Sequence, residues 1–380
     1  VKMSIDIEAI IKSEIYNLSD LATGTMGVSM VGADKFKDFE RMIQSDLSSY
    51  YELSYVPPRN KADGRYHKIT VRTKRQDVVL RHRKGYFDYD QDQKESMLFA
   101  SAALNPSLFQ DILFTAKTVP VAVGQGRFVL WLMMALPVHG FLLGEDETQE
   151  KKDIKICLNL IDDENRLAHS ARINMPIKLS PEFRRRLTKA RHFGFSACSQ
   201  EMEFNKDRYR AVIVLYDQDS GQMSTVECPL EVPKPSDEAE GSIINVILGQ
   251  VVKSSDSRQA DFSLSPEDGT LRLPGYRFYP MSLNELGSNE RLAVFLQVRG
   301  TQDEEKLNLV FSTIQNGEVP IEIKSLEIAR SKNKKANVWN VIFQLDLNLV
   351  GSGDHVLLIG RRGRPGEENT ILFRLPFRLL

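Results

Sequence analysis

The stretch YRAVIVLYDQDSGQMSTVECPLEVP, residues 209–233, decides the fold class of most of this chain. Two runs rich in β-branched and aromatic residues, 209–216 and 223–232, flank a polar segment that contains a glycine. Such a pattern is typical of a β-hairpin. Asp217 and Asp219 alternate as at the start of a calcium loop, but the third oxygen ligand and the distal Glu of such a loop are not in register. We therefore interpret residues 217–221 as a hairpin turn.

Similar segments, separated by turn signals, fill residues 109–380. Seven of them before residue 233 predict a β-sandwich. Within this region, Ser180 as N-cap and Pro181 at the first helical position predict a basic helix over residues 180–191. Residues 234–242 have the Pro, Ser and Glu content of a linker, and eight further segments follow it. The sequence predicts two immunoglobulin/fibronectin-like antiparallel β-sandwiches, over residues 94–235 and 240–380.

The N-terminal residues 1–93 have a different pattern. Apolar faces of helical period predict helices over 7–22 and 34–50, with a short strand at 28–31 between them. From residue 51 the period becomes two and predicts a β-ribbon with strands at 66–73 and 78–83, then an acidic linker at 87–95 and a helix over 94–104. Only about two strands precede the ribbon, so we interpret residues 1–93 as the last part of an α/β domain.

Composition limits the functional classes. The 380 residues are 42% hydrophobic and 27% charged, which is typical of a folded protein. Fifty basic and fifty-one acidic side chains give a net charge of −1, so no global field attracts nucleic acid or an anionic membrane, and we expect no nucleic-acid partner. The longest apolar stretch, 128–144, is interrupted by Pro137 and Gly140 and predicts buried core rather than a membrane span. The chain as given has no basic-then-apolar leader, which predicts no signal peptide.

Motifs for catalysis or cofactor binding are incomplete. Residues 194–198 lack the second glycine of a nucleophile elbow and predict a structural loop, and residues 124–126 lack the third glycine of a dinucleotide site and predict a hairpin turn. The six histidines are dispersed, and the three cysteines form no C-x-x-C pair. Trp131 and Trp339 lie in apolar segments and are predicted core residues. We therefore predict no catalytic residue, no metal ligand and no cofactor.

A basic segment is the main candidate binding surface. Residues 65–84 contain eight basic residues against Asp77 alone, a local net charge of 8 − 1 = +7. Such a patch could bind an acidic partner, the sulfates of a polysaccharide or lipid headgroups, and the residues that we single out for this role are Arg65, Lys68, Arg72, Lys74, Arg81 and Arg83. The alternative is a solvated face that discourages edge-to-edge strand pairing. The sequence leaves both interpretations open.

Residues 48–87 contain the order Tyr-Tyr-x-Leu-x-Tyr-x-Pro, an Asp-Gly turn, Ile-x-Val and a closing Arg-x-Gly-Tyr. The matching positions are Tyr50, Tyr51, Leu53, Tyr55, Pro57, Asp63, Gly64, Ile69, Val71, Arg83, Gly85 and Tyr86. This pattern resembles the end of the bacterial, acidobacterial-type von Willebrand factor type A-related domain family. The resemblance implies that residues 1–93 are the C-terminal portion of a Rossmann-like type A domain, and that β-sandwich domains follow it.

The resemblance also has functional implications. The metal-binding Asp-x-Ser-x-Ser loop of a type A domain follows its first strand, a part that residues 1–93 are not expected to contain, so no metal ligand is carried over. The resemblance implies a non-enzymatic interaction, adhesion or scaffold protein that is extracellular, periplasmic or at the cell surface. Its partner would be another protein, or the missing N-terminal half of its own type A domain. The alternatives are an accessory subunit of a larger envelope complex, and a carbohydrate-binding or hydrolytic module with its site in the sandwich loops.

Overall fold

The computed structural model describes residues 22, 36–48, 53–54, 62–76, 80, 82–144, 149–233, 242–254, 263–265, 269–273, 275–287, 291–300, 308–315, 319–363 and 368–380. These residues belong to two compact units, Val1–Leu98 and Phe99–Leu380. The predicted helix over 7–22 and the predicted strand at 28–31 lie outside the described residues, except for Ala22, which is helical. Each unit is described below by itself.

The first unit contains helix α1, Phe36–Ser48, which confirms the helix predicted over 34–50. The ribbon consists of two short antiparallel strands, β1 (Tyr66–Lys68) and β2 (Gly85–Phe87). The predicted strand over 66–73 is therefore wrong beyond residue 68. The second predicted strand is also misplaced: its described members at 80, 82 and 83 are not in a strand, and the pairing starts at Gly85.

Helix α2, Gln91–Leu104, corrects the predicted linker over 87–95. The Asp90 carboxylate accepts from the backbone N–H of Gln93 at 2.7 Å, and the Gln93 side chain accepts from the backbone N–H of Asp90 at 3.1 Å. This reciprocal capping box satisfies two N–H groups at the start of the helix. The helix therefore begins three residues before the predicted position.

The second unit begins at Phe99, within helix α2, and continues with a 3₁₀ turn, Pro106–Leu108, and a sandwich of two antiparallel sheets. Its strands are β3 (Thr115–Gly124), β4 (Arg127–Pro137), β5 (Lys151–Ile161), β6 (Leu167–Lys178), β7 (His192–Glu203), β8 (Arg208–Asp217) and β9 (Met223–Glu231). The strand order is β3-β4-β7 in one sheet and β6-β5-β8-β9 in the other. The predicted basic helix is confirmed as α3, Pro181–Leu187, with the Ser180 hydroxyl accepting from the backbone N–H of Phe183.

Strand β7 corrects a sequence prediction. Residues 194–198 form part of this strand, which pairs with β4, and not a loop. Phe193 and Phe195 pack against the core of the first sandwich, while Gly194, Ser196 and Cys198 alternate with them. The small and polar residues on the second face obscured the alternating pattern of a strand. They occur there because this face contacts the second sandwich of the same chain.

A second sandwich follows and contains one parallel pair, β14 with β21, among otherwise antiparallel pairs. The order is β11-β12-β13-β10-β15-β19-β18 in the larger sheet and β14-β21-β20-β16-β17 in the smaller. Its strands are β10 (Ile243–Lys253), β11 (Ser263–Ser265), β12 (Thr270–Leu273), β13 (Tyr276–Pro280), β14 (Glu285–Leu286), β15 (Leu292–Arg299), β16 (Leu309–Gln315), β17 (Ile321–Ile323), β18 (Ser325–Asn333), β19 (Val338–Leu345), β20 (Gly353–Arg361) and β21 (Thr370–Leu379).

The strands confirm a β-rich fold with several antiparallel sheets, and among the described residues no sheet contains strands from both sides of residues 234–241. The domain boundaries at 93, 235 and 240 stay predictions. The immunoglobulin/fibronectin type and the type A assignment also stay predictions.

The two sandwiches share a buried contact, which we call the seam. It joins the face of the β3-β4-β7 sheet opposite the first core to the larger sheet of the second sandwich, and its apolar cluster comprises Val121, Trp131, Met133, Ile247, Leu271, Phe278, Ala293, Phe295 and Ile342. Strand β4 is consequently buried on both faces: Leu130 and Leu132 lie in the first core, and Trp131 and Met133 lie in the seam. This double burial explains why the apolar run at 128–136 does not alternate with polar residues.

Candidate functional site

The basic ribbon is exposed where the structure describes it. Arg65, Lys68, Arg72, Lys74 and Arg83 all have exposed side chains, and so does the neighbouring Lys84. Within the described parts of the chain, none of these six side chains forms an ion pair. Arg81, the remaining predicted binding residue, lies outside the described residues. The described part of the ribbon therefore presents six positive charges to solvent, none of them held in an ion pair with a described residue.

The family-motif positions are described in part. Tyr50, Tyr51, Tyr55 and Pro57 lie outside the described residues, whereas Asp63, Gly64, Gly85 and Tyr86 belong to the ribbon.

Gly64 has φ +69° and donates its N–H to the backbone oxygen of Asp88 at 2.8 Å, while the N–H of Asp88 donates to the backbone oxygen of Arg65 at 3.0 Å. Gly64 and Arg65 thus lie opposite the single residue Asp88, which is the hydrogen-bond pattern of a G1 bulge. The first position of such a bulge requires the left-handed conformation, which glycine adopts freely.

Gly85 is needed for a different reason. A Cβ atom at this position would lie 2.4 Å from the backbone oxygen of His67 and 2.4 Å from the Tyr66 ring. Any larger residue would therefore separate the strands of the ribbon.

The bulge brings together a cluster that the sequence did not reveal. The carboxylate of Asp63, the imidazole of His67 and the carboxylate of Asp88 each provide one atom, and these atoms lie within 4.8 Å of one another. His67 Nε2 is 2.9 Å from Asp63 Oδ1, and the His67 ring stacks on Tyr86 with centroids 5.3 Å apart. The spacing of Asp63 and His67 in the sequence could have indicated part of this cluster. Asp88 joins the cluster only because the strands of the ribbon pair.

A polar network and a cavity lie at the seam. The Gln297 amide accepts from the backbone N–H of Ala122 at 2.9 Å and donates to its backbone oxygen at 3.0 Å. Gln297 also donates to Asn340 at 2.8 Å and accepts from Asn245 at 2.9 Å. A cavity of about 280 Å³ lies beside these groups. Because the amide of Gln297 is already hydrogen-bonded, the arrangement can hold the two sandwiches in register.

One backbone carbonyl connects the sandwiches through two side chains. Gly269, with φ +57°, accepts from Trp131 Nε1 at 2.7 Å and from the Ser196 hydroxyl at 2.9 Å. A Cβ at residue 269 would lie 2.2 Å from the backbone carbon of Ser196. Trp131 is 0% exposed, which confirms it as a core residue. Trp339 is half-buried, with the Lys332 ammonium 5.2 Å from its ring centroid.

The turn at 217–221 is confirmed as a hairpin between β8 and β9. The Asp217 carboxylate is 0% exposed and lies 2.9 Å from the Lys152 ammonium. It also accepts from the Ser220 hydroxyl at 2.5 Å and from the backbone N–H of Asp219 at 3.2 Å. The Asp217 carboxylate therefore stabilises the turn through these contacts. The turn at Gly124–Gly126 likewise connects β3 to β4, with Gly126 at φ +68°.

An Asp-x-Ser-x-Ser match occurs outside residues 1–93, at residues 261–265. Ser263 and Ser265 lie in β11, an edge strand of the second sandwich that pairs antiparallel with β12. Asp261 lies outside the described residues. In a type A domain this motif forms a loop after a strand, so its place within β11 differs from the arrangement that the resemblance implies.

No disulfide joins the three cysteines. Burial raises the pKa of the Cys228 thiol, which keeps it in the less reactive neutral form. None of the helices in the described segments combines the length and the apolar character that a lipid bilayer requires of a spanning helix.

In comparisons with known proteins, neither a protein-family model nor a curated protein sequence matches this chain.

Proposed function

We propose that this chain is a non-enzymatic interaction or scaffold protein that binds an acidic protein segment through its basic ribbon. The observation that carries the proposal is the group of exposed basic side chains Arg65, Lys68, Arg72, Lys74, Arg83 and Lys84, which have no ion pair with a described residue. Unpaired exposed charges that are close together in the chain attract and orient a partner of opposite sign.

The double sandwich supports the scaffold part of the proposal. Its seam buries aromatic rings from both sandwiches, with the Trp131 ring 6.1 Å from each of Phe278 and Phe295. The amide network around Gln297 adds directional contacts across the same surface. A contact of this kind holds two domains at one fixed orientation, which suits a protein that presents surfaces to others.

The wider assignment belongs to the same proposal. We propose that residues 1–93 derive from a type A-related domain, that the sandwiches are of the immunoglobulin/fibronectin type, and that the protein works in adhesion or scaffolding at the cell envelope or outside the cell. The Asp63-Gly64 turn and the restricted space at Gly85 support the first point, because they give physical reasons for the motif positions.

An accessory subunit of a larger envelope complex is the second candidate. Leu104, Leu108 and Leu113 are 73%, 76% and 87% exposed within a ten-residue stretch of the second unit. Such apolar side chains favour a further protein contact. The carbohydrate-binding or hydrolytic alternative is not supported at Trp131, because that ring is buried and cannot stack on a sugar.

The test measures binding of a fluorescent peptide of glutamates and aspartates to the full chain by anisotropy. The ribbon variant reverses four charges, Lys68→Glu, Arg72→Glu, Lys74→Glu and Arg83→Glu. The control reverses four arginines that already have acidic partners, Arg127→Glu, Arg166→Glu, Arg210→Glu and Arg330→Glu. Both variants have the same net charge.

We expect the ribbon variant to bind the peptide about tenfold or more weakly than the unmodified chain, a loss of about 1.4 kcal/mol. The control variant should retain its affinity within about twofold, and binding should weaken as salt is raised. Equal losses in the two variants, or no binding by the unmodified chain at low salt, would contradict the proposal.

A further inference from the structure

We propose that Asp63, His67 and Asp88 form a site for a divalent transition-metal ion, of which Zn²⁺ is the best fit. The site lies on the ribbon, and it does not depend on the proposed acidic partner. The three side chains offer one imidazole nitrogen and two carboxylate oxygens, which are ligand atoms that zinc binds, and three protein ligands leave a fourth position open.

The backbone places the ligands. The bulge at Gly64–Arg65 positions Asp63 so that its Oδ1 lies 3.0 Å from the backbone N–H of Arg65 and 2.9 Å from His67 Nε2. Asp88 is the residue opposite that bulge, and two backbone hydrogen bonds hold it there. Bulges of this type redirect side chains next to functional sites.

The imidazole is also oriented. Stacking on Tyr86, at an interplanar angle of 27°, holds the His67 ring with Nε2 directed toward the carboxylate of Asp63. The side chains of His67 and Asp63 are 24% and 26% exposed, so an ion has access from solvent. A ring fixed by a neighbouring contact binds metal with less loss of conformational freedom.

The distances allow coordination after small rotations. Ligand atoms around a tetrahedral zinc are about 3.3 Å apart, given bonds of about 2.0–2.1 Å. The present separations reach no more than 4.8 Å, and the His67 to Asp63 separation is already 2.9 Å. Rotation of the partly exposed carboxylates brings the three atoms to the bonding distance.

The charge around the cluster selects the kind of metal. Two carboxylates contribute −2, and the basic side chains of the ribbon oppose this charge, so the local field attracts a cation only moderately. A hard cation such as Ca²⁺ depends on several charged oxygens and would bind poorly here. Zinc gains from the bond to the imidazole nitrogen, which a neighbouring arginine does not compete for.

The experiment is calorimetric titration of Zn²⁺ into the chelator-treated full chain. We expect saturable binding of one ion. His67→Ala and Asp88→Asn should each weaken it by at least about tenfold, since even outer-shell partners of a metal contribute that much. The matched control is His82→Ala, the other histidine of the ribbon, whose Nδ1 contacts the backbone oxygen of Arg83.

A second readout covers the case in which a variant is less stable. Co²⁺ bound by a nitrogen and carboxylates gives visible absorption bands, and Asp63→Asn should change their positions while the fold, followed by circular dichroism, is retained. Absence of saturable Zn²⁺ binding would overturn the proposal. Affinity unchanged in His67→Ala, or lowered equally in His82→Ala, would overturn it as well.

Discussion

The ribbon and the double sandwich differ in whether their exposed basic side chains have carboxylate partners. In the double sandwich, exposed arginines lie beside carboxylates, such as Arg127 with Glu201 at 3.3 Å, Arg210 with Glu227 at 3.0 Å and Arg378 with Asp354 at 2.6 Å. In the ribbon, six basic side chains have no such partner among the described residues. These sandwich charges are compensated within the fold, whereas the six charges of the ribbon remain available to another molecule.

Burial separates the same two regions. Strand β4 of the double sandwich is buried on both faces, and its Trp131 is 0% exposed. Within the paired residues of the ribbon, Gly85 alone is buried. Because apolar burial provides most of the folding free energy, stability should depend on the seam and the cores and very little on the ribbon.

The largest expected effect is that of Trp131→Ala. Loss of this buried ring and of its hydrogen bond to Gly269 should lower the free energy of unfolding by about 3–5 kcal/mol. Denaturant unfolding of the full chain measures it. A loss below about 1 kcal/mol would show that the seam does not contribute as we describe.

Gln297→Leu should have the next largest effect. It removes the partner of both backbone groups of Ala122 and of the amides of Asn245 and Asn340. We expect a destabilisation of about 2–4 kcal/mol, since buried polar groups left without a partner are costly. The half-buried Gln344, on neighbouring β19, provides the control Gln344→Leu, which should cost less than about 1 kcal/mol. Equal losses would contradict a special role for the network.

A smaller, pH-dependent effect is expected at Asp354. The hydrogen bond from Arg378 and the charge of that arginine hold the pKa of the Asp354 carboxyl below its ordinary value. Because the folded-state pKa is lowered, the ion pair stabilises the fold at neutral pH, and this contribution is lost as the pH falls through the lowered pKa. NMR titration should show the Asp354 midpoint rising in Arg378→Gln. An unmoved midpoint would rule out this cause.

The smallest effect concerns the ribbon. Reversal of Lys68, Arg72, Lys74 and Arg83 to glutamate should leave the free energy of unfolding of the double sandwich within about 0.5 kcal/mol of the unmodified value, since exposed substitutions away from packed features change little. Thermal unfolding checks this. A large loss would mean that the charges serve the fold and not a partner.

The sequence predicted correctly those strands and helices whose residue pattern follows from one buried face and one solvent face, or from local capping. Alternation at 209–216 and 223–232 identified a hairpin, and Ser180 with Pro181 identified helix α3. Residues 194–198 of strand β7 were not recognised as a strand, because one face carries glycine, serine and cysteine against the seam. A one-dimensional pattern cannot distinguish a small polar face toward solvent from one toward another sandwich.

The candidate site shows the same limit. The basic residues could be identified from the sequence alone. The cluster of Asp63, His67 and Asp88 could not be, because it forms only through the bulge and the pairing of β1 with β2. The capping box of Asp90 and Gln93 was present in the sequence and could have placed the start of helix α2.

The hydrogen bonds to the carbonyl of Gly269 limit how the sequence of this chain can change in evolution. It accepts hydrogen bonds from Trp131 on β4 and Ser196 on β7, while the absence of a side chain at 269 allows β7 to approach. A side chain at residue 269 would therefore disturb the contacts of both donors. A chimera that joins the first sandwich to a foreign second one would lose the acceptor of the buried indole, so the two sandwiches should be inherited and recombined as one module.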